Sequence, residues 1–208
     1  MIELTNFTDF LDAADASLLR PLGNAGFQRV NAGIWNFRKG DDLNVVCLQK
    51  HSSESSFCVN LGIHYAFLPK AGSETPLTGG YIEQTDCEIK LRLTSESSAK
   101  DQWWPIVLDA ADAVANLVSQ RGVAIFDSYR LAGPIAAMEA GDIEVGNLGM
   151  LSSLTKVRAC LLLARIHERL GNRAKCVDAA TIGIKLAGIA VGPKKALKDI
   201  LKRNEQPD

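Results

Sequence analysis

The feature that most constrains this fold is a run of extended segments with no room for helices between them. Residues 27–30, 34–37, 43–49 and 57–65 follow one another across short polar breaks. A parallel pair needs a crossover of a dozen or more residues, whereas antiparallel strands join through tight turns. The segment is therefore expected to run as an antiparallel meander. Asn31-Ala32-Gly33 and Lys39-Gly40-Asp41-Asp42 supply the turn chemistry.

Alternation assigns the faces. Phe57, Val59, Leu61, Ile63 and Tyr65 point one way, and Cys58, Asn60, Gly62 and His64 the other. A fifth strand, residues 87–93, sets Cys87, Ile89, Leu91 and Leu93 toward the core and Glu88, Lys90 and Arg92 away from it. Val45-Val46-Cys47-Leu48 is apolar on both faces, as a central strand covered on both sides requires. Residues 69–86, with Gly72, Pro76, Gly79 and Gly80, read as a loop of a length that is uncommon unless it is mobile or functional.

Helices bracket the sheet. Phe7, Phe10, Leu11, Ala14 and Leu18 recur at helical spacing over residues 6–19, with Asn6 as cap and Pro21 and Gly23 as terminators. Residues 103–121 read as a long helix capped by Asp101, with Pro105 in its first turn and Gly122 at its end. Beyond it only helices are expected: 124–140, broken near Gly133-Pro134; 153–170; 173–187; and a last one from Pro193 to near Arg203. Ala164, Cys176, Ala180 and Gly183 fall where the two helices of an αα-hairpin would touch. The expected class is α+β: an antiparallel meander of about five strands packed with helices, plus an all-helical C-terminal part. The expected division is residues 1–122 and 123–208.

A net charge of −1 argues against a dominant nucleic-acid or membrane-surface role. The cysteines, at 47, 58, 87, 160 and 176, form no C-x-x-C pair, which suits free thiols in a reducing, cytoplasmic setting without a metal. Met1-Ile2-Glu3-Leu4 lacks a basic leader region, and no apolar run approaches the ~20 residues of a membrane helix.

Several pieces fall in an ordered series: Leu22-Gly23 through Gly26-Phe27, Trp35, residues 45–50 ending in Leu48-Gln49-Lys50, residues 57–63 with Val59-Asn60-Leu61-Gly62, residues 87–93, and Trp103-Trp104. In that series the stretch from Leu19 to about Trp104 resembles a bacterial family catalogued as domain of unknown function 4304. The resemblance implies an α+β fold and a cytoplasmic bacterial protein, and implies no activity. The 69–86 loop and the helices after Gly122 stand outside it.

The chain lacks the G-x-x-x-x-G-K-S/T, G-x-G-x-x-G, H-E-x-x-H and G-x-S-x-G signatures. No two of His51, His64 and His167 are spaced to share a metal on one element, and no cofactor and no catalytic residue is assigned. The candidate binding residues are Asn60, His64, Glu88, Lys90, Arg92 and Trp104, on a polar sheet face that is also expected to carry Lys50. Arg92 is a fork for carboxylate or phosphate, and His64 with Glu88 has the make-up of a base and its orienter. Of Trp103 and Trp104, one is expected to pack inward and the other to anchor a partner or roof a pocket. The basic last helix, with Lys194, Lys195, Lys198, Lys202 and Arg203, reads as an amphipathic helix with a solvated face. A non-enzymatic binding protein with a protein partner, an immunity-type protein being one version, is the leading expectation. The alternative is an enzyme acting on a small polar or phosphorylated substrate at an exposed sheet face.

Overall fold

The computed structural model describes residues 7–53, 55–73, 76–77, 79–96 and 101–205. Asn6, the expected helix cap, lies outside them. Contacts divide the chain into two compact units, Met1–Asp127 and Ser128–Asp208.

The first unit is α+β. Strands β1 (Gln28–Asn31), β2 (Ile34–Lys39), β3 (Asp42–Lys50), β4 (Ser56–Tyr65) and β5 (Ile89–Leu93) form an antiparallel meander in chain order. A two-residue strand, β6 (Trp104–Pro105), pairs with β4 beyond the end of β5. Helices α1 (Phe7–Asn24), α2 (Leu108–Leu117) and α3 (Val123–Ser128) complete the unit, with a π turn at Val118–Gly122 joining the last two. Directly paired residues share a face, so register fixes which side chains meet. One face carries Trp35, Val46, Leu48, Phe57, Val59, Leu61, Ile63, Ile89 and Leu93, all buried. Phe10 of α1 packs on Phe57 with ring centroids 4.4 Å apart, and Phe126 of α3 packs on Phe27 at 5.3 Å.

A buried carboxylate pins α1 to the meander. Asp15 Oδ1 accepts the Trp35 indole N–H at 2.9 Å, Oδ2 accepts the Gly33 amide at 3.3 Å, and Arg29 approaches Oδ2 at 2.5 Å.

Several expected boundaries move, and the helix expected over 124–140 is reduced to α3 and a 3-10 turn at Pro134–Ala137. Pro21 lies inside α1 instead of ending it, because the fully buried Leu22 holds the last turn in place. The long helix starts at Leu108, not Trp103, because Trp104 and Pro105 pair with β4 as strand. Gly122 does not stop that helix: it sits in the π turn, between the buried Val118 and Phe126.

The second unit is helical. It contains α4 (Ala140–Val145), α5 (Lys156–Arg169), α6 (Arg173–Leu186) and α7 (Val191–Glu205), with 3-10 turns at Pro134–Ala137 and Gly149–Leu151. Helices α5 and α6 form the hairpin, with α7 packed against both. Gly183 lets the three converge: a Cβ there would lie 2.8 Å from Leu197 Cδ1 and 2.9 Å from Cys160 Cβ. Burial pushes the Cys160 and Cys176 thiols up to about 11.

His167 gives this unit a pH dependence. The ring is 1 % exposed. Burial, and then the Lys175 charge, hold its pKa below the ordinary 6.5, against a hydrogen bond with the Met138 backbone and the Glu139 charge. The folded state therefore favours neutral imidazole. Its contribution is complete above pH 6.5 and is lost as pH falls toward the depressed folded value. Denaturant titrations from pH 7 to pH 5 are expected to show a fall in stability that is shallower in His167→Gln. Equal slopes in the two proteins contradict this assignment.

Candidate functional site

The polar face is one continuous surface by register. Asn60 pairs with Arg92 and Gly62 with Lys90 across β4 and β5, while Cys47, Val45 and Leu43 of β3 stand opposite Asn60, Gly62 and His64. It is not an exposed surface over most of its length, which corrects the sequence expectation. The described part of the 69–86 segment, residues 69–73, 76–77 and 79–86, folds back over it. Asn36 on β2 grips Ile82 from below: its Nδ2 donates to the Ile82 carbonyl at 3.0 Å, and its Oδ1 accepts the Ile82 amide at 2.7 Å. Those two bonds reproduce a strand-like pairing and leave the Ile82 backbone satisfied in a buried setting. Ala71 N–H donates to the Asp86 carbonyl at 2.9 Å, and Lys70 meets the Asp86 carboxylate at 2.7 Å. Beneath the segment, Leu43, Val45, Ile82 and Cys87 form a second apolar core, flanked by Ile34, Cys47, Ala66 and Leu77.

Cys87 belongs to this second core, not to the helix-side face with Ile89. β5 begins only at Ile89, and Cys87 comes out of a 3-10 turn at Gln84–Asp86. A Cβ on Gly62 would lie 2.5 Å from Cys87 Sγ, so a glycine is what lets the thiol settle on β4. Burial pushes the Cys87 thiol well above its ordinary range, and that of Cys47 upward as well.

The candidate residues separate into two groups. His64 is 0 % exposed, and Glu88 is buried beside it. His64 Nδ1 accepts the Glu88 amide at 3.2 Å, one residue before β5 begins. Lys90 is exposed, and its Nζ donates to the Thr85 carbonyl at 2.5 Å. Arg92 lies four residues from Glu88, about 13 Å at ~3.3 Å per residue. His64, Glu88 and Arg92 thus do not converge on one pocket, and the base–orienter pair of the enzymatic alternative is roofed by the loop.

The other end of the face is open. Arg92 Nε contacts Asp101 Oδ1 at 3.2 Å, and its guanidinium carbon lies 4.9 Å from the centre of the Trp103 ring. Trp103 donates its indole N–H to Asp101 Oδ2 at 3.0 Å and meets His51 edge-on at 4.5 Å. Asn60 donates to Gln49 Oε1 at 2.8 Å in the floor of this cluster. Arg121 in the π turn donates to the Thr94 carbonyl at 2.7 Å and to the Ser95 carbonyl, and Ser95 N–H donates to Gln102 Oε1 at 2.6 Å. The start and end of the β5–β6 connection are thereby fixed, and with them Asp101 and Trp103.

Two placements differ from the expectation. Lys50 pairs with Phe57 and so belongs to the helix-side face. Trp104 also pairs with Phe57, so it points toward the helices, and Trp103 is the tryptophan on the polar face. The sequence held a signal for this: the residue before a proline is steered out of helical geometry, and Trp104 precedes Pro105. His51, Gln49 and Asp101 carried no periodic signal of their own. Among the described residues, no group of three or more His, Cys, Asp or Glu could hold a metal, and no helix is long and apolar enough to cross a membrane.

The family described as Domain of unknown function (DUF4304) matches residues 18–127, just over half of the 208-residue chain. The chain belongs to this family. The DUF4304 match spans the whole meander, the overlying segment and the Arg92–Trp103 cluster, and it stops where the helical unit begins. No curated protein and no solved structure matches.

Proposed function

We propose that this DUF4304 protein is a non-enzymatic binding module of the bacterial cytoplasm. It contacts a protein partner through the open end of the polar sheet face, with Arg92, Trp103 and His51 as the contact residues. The observation that carries the reading is the cation–aromatic stack held in place by Asp101: Trp103 is 38 % exposed while both its indole N–H and Arg92 Nε are tied to the same carboxylate. Tryptophan and arginine dominate the energetic centres of protein interfaces, and a pre-ordered pair loses little rotamer freedom on binding. Five free cysteines suit a reducing compartment. Neutralisation of a toxin is one concrete version, resting on analogy with other small α+β proteins.

Affinity capture from the native host tests it, run side by side with wild type and Trp103→Ala. A partner recovered in stoichiometric amount is expected to bind the variant about thirtyfold or more weakly. A partner held equally by both proteins, or no partner at all, rejects the reading.

A further inference from the structure

The turn between α6 and α7 is apolar and bare. Ile189 is 98 % exposed and Val191 is 79 % exposed, whereas Leu197 and Ile200 on the same helix are buried. Gly188, at φ +49°, and Gly192 flank the pair. Val145, 82 % exposed, adds a third aliphatic near this end of the unit, since its neighbour Glu144 meets Lys185 in the last turn of α6 at 2.5 Å.

Lysines surround the turn. Lys194 closes the first turn of α7, its Nζ reaching the Gly188 carbonyl at 3.4 Å, with Lys195 next to it and Lys198 one turn on; Lys195 and Lys198 are exposed. The first turn contains no acidic residue. Cations there oppose the positive end of the helix dipole, so the sequence breaks a local electrostatic rule at the spot where it also leaves two β-branched side chains in water. α7 carries five basic residues against two acidic ones, Asp199 and Glu205.

We propose that the α6–α7 turn docks on an anionic lipid surface, with Ile189 and Val191 entering the interfacial region and Lys194, Lys195 and Lys198 meeting the headgroups. A lipid surface fits better than a protein one. The apolar side chains sit on a two-residue tip instead of a broad patch, and the rim is lysine, which protein interfaces disfavour. This is peripheral binding and needs no membrane-spanning helix.

The test is co-sedimentation of the full chain with vesicles of mixed phosphatidylcholine and phosphatidylglycerol, against pure phosphatidylcholine. Wild type is expected to bind the mixed vesicles, to bind the neutral ones far less, and to be released by salt. Lys195→Glu with Lys198→Glu is expected to weaken binding about fivefold or more per lysine. Ile189→Asp with Val191→Asp is expected to abolish it with the thermal midpoint unchanged, because neither side chain packs in the fold. No binding to mixed vesicles overturns the proposal, as does binding that survives the double aspartate variant. Light scattering that shows a dimer in wild type and a monomer in that variant assigns the turn to a second copy and overturns it too.

Discussion

Asn36→Ala is expected to destabilise the protein by about 2–4 kcal/mol and to expose Cys87 to thiol reagents. Removing the side chain leaves both the N–H and the C=O of Ile82 without partners in a buried setting, and each orphaned group costs ~1–3 kcal/mol. Alanine offers no replacement for either bond. The segment should therefore lift locally before the meander unfolds. In wild type Cys87 is buried and its thiol pKa is raised, so labelling under native conditions is slow on both counts. In Asn36→Ala, labelling at Cys87 should rise at least tenfold, by mass spectrometry of the labelled peptides, since ~1.4 kcal/mol of easier opening is already a factor of ten. Unchanged labelling at an otherwise reduced stability would mean that Asn36 supports the sheet and not the cover.

Asp15→Ala is the second large effect, about 2–5 kcal/mol. The carboxylate satisfies the indole N–H of a tryptophan that is almost fully buried and the amide of Gly33. Each donor left alone costs ~1–3 kcal/mol. Arg29 adds less, because it remains in contact with water. A double-mutant cycle separates these terms. Trp35→Phe removes the donor along with its need for an acceptor, so Asp15→Ala in that background should cost less by ~1–2 kcal/mol. Strict additivity in urea unfolding would show that the indole–carboxylate bond contributes nothing. Asp15→Ala is also the control for the first experiment, since it destabilises the unit from the opposite face and should leave native-state labelling of Cys87 slow.

The architecture was legible because its signal is local. Alternation in β4 and β5 placed Asn60, Gly62, Lys90 and Arg92 on one face, and the register pairs them directly. The double-sided apolar character of Val45 and Val46 correctly implied two covered faces. What the sequence did not reveal is what covers the second face. Asn36 and Ile82 are 46 positions apart and meet through one side chain and one backbone group, which leaves no periodicity to read. His64 looked like a solvated candidate base for the same reason. Its same-face neighbours in the strand, Gly62 and Asn60, are small or polar, and the apolar roof over this face comes from a loop whose glycines and prolines suggested openness. Trp103 and Trp104 exchanged roles because a two-residue strand is too short to show alternation; Pro105 was the available clue.

The central claim is that the described part of the 69–86 segment, anchored at Ile82, forms a fixed cover on the polar face and that recognition is confined to its open end. Amide hydrogen exchange at Ile82 tests it most directly, because Ile82 lies in no strand or helix yet donates to Asn36 Oδ1. Protection at Ile82 comparable to that of β3 and β4 amides, and lost in Asn36→Ala, is the result expected. Exchange at Ile82 in the wild type as fast as in an open loop would contradict the cover, and would return His64 and Glu88 to the solvent-accessible surface.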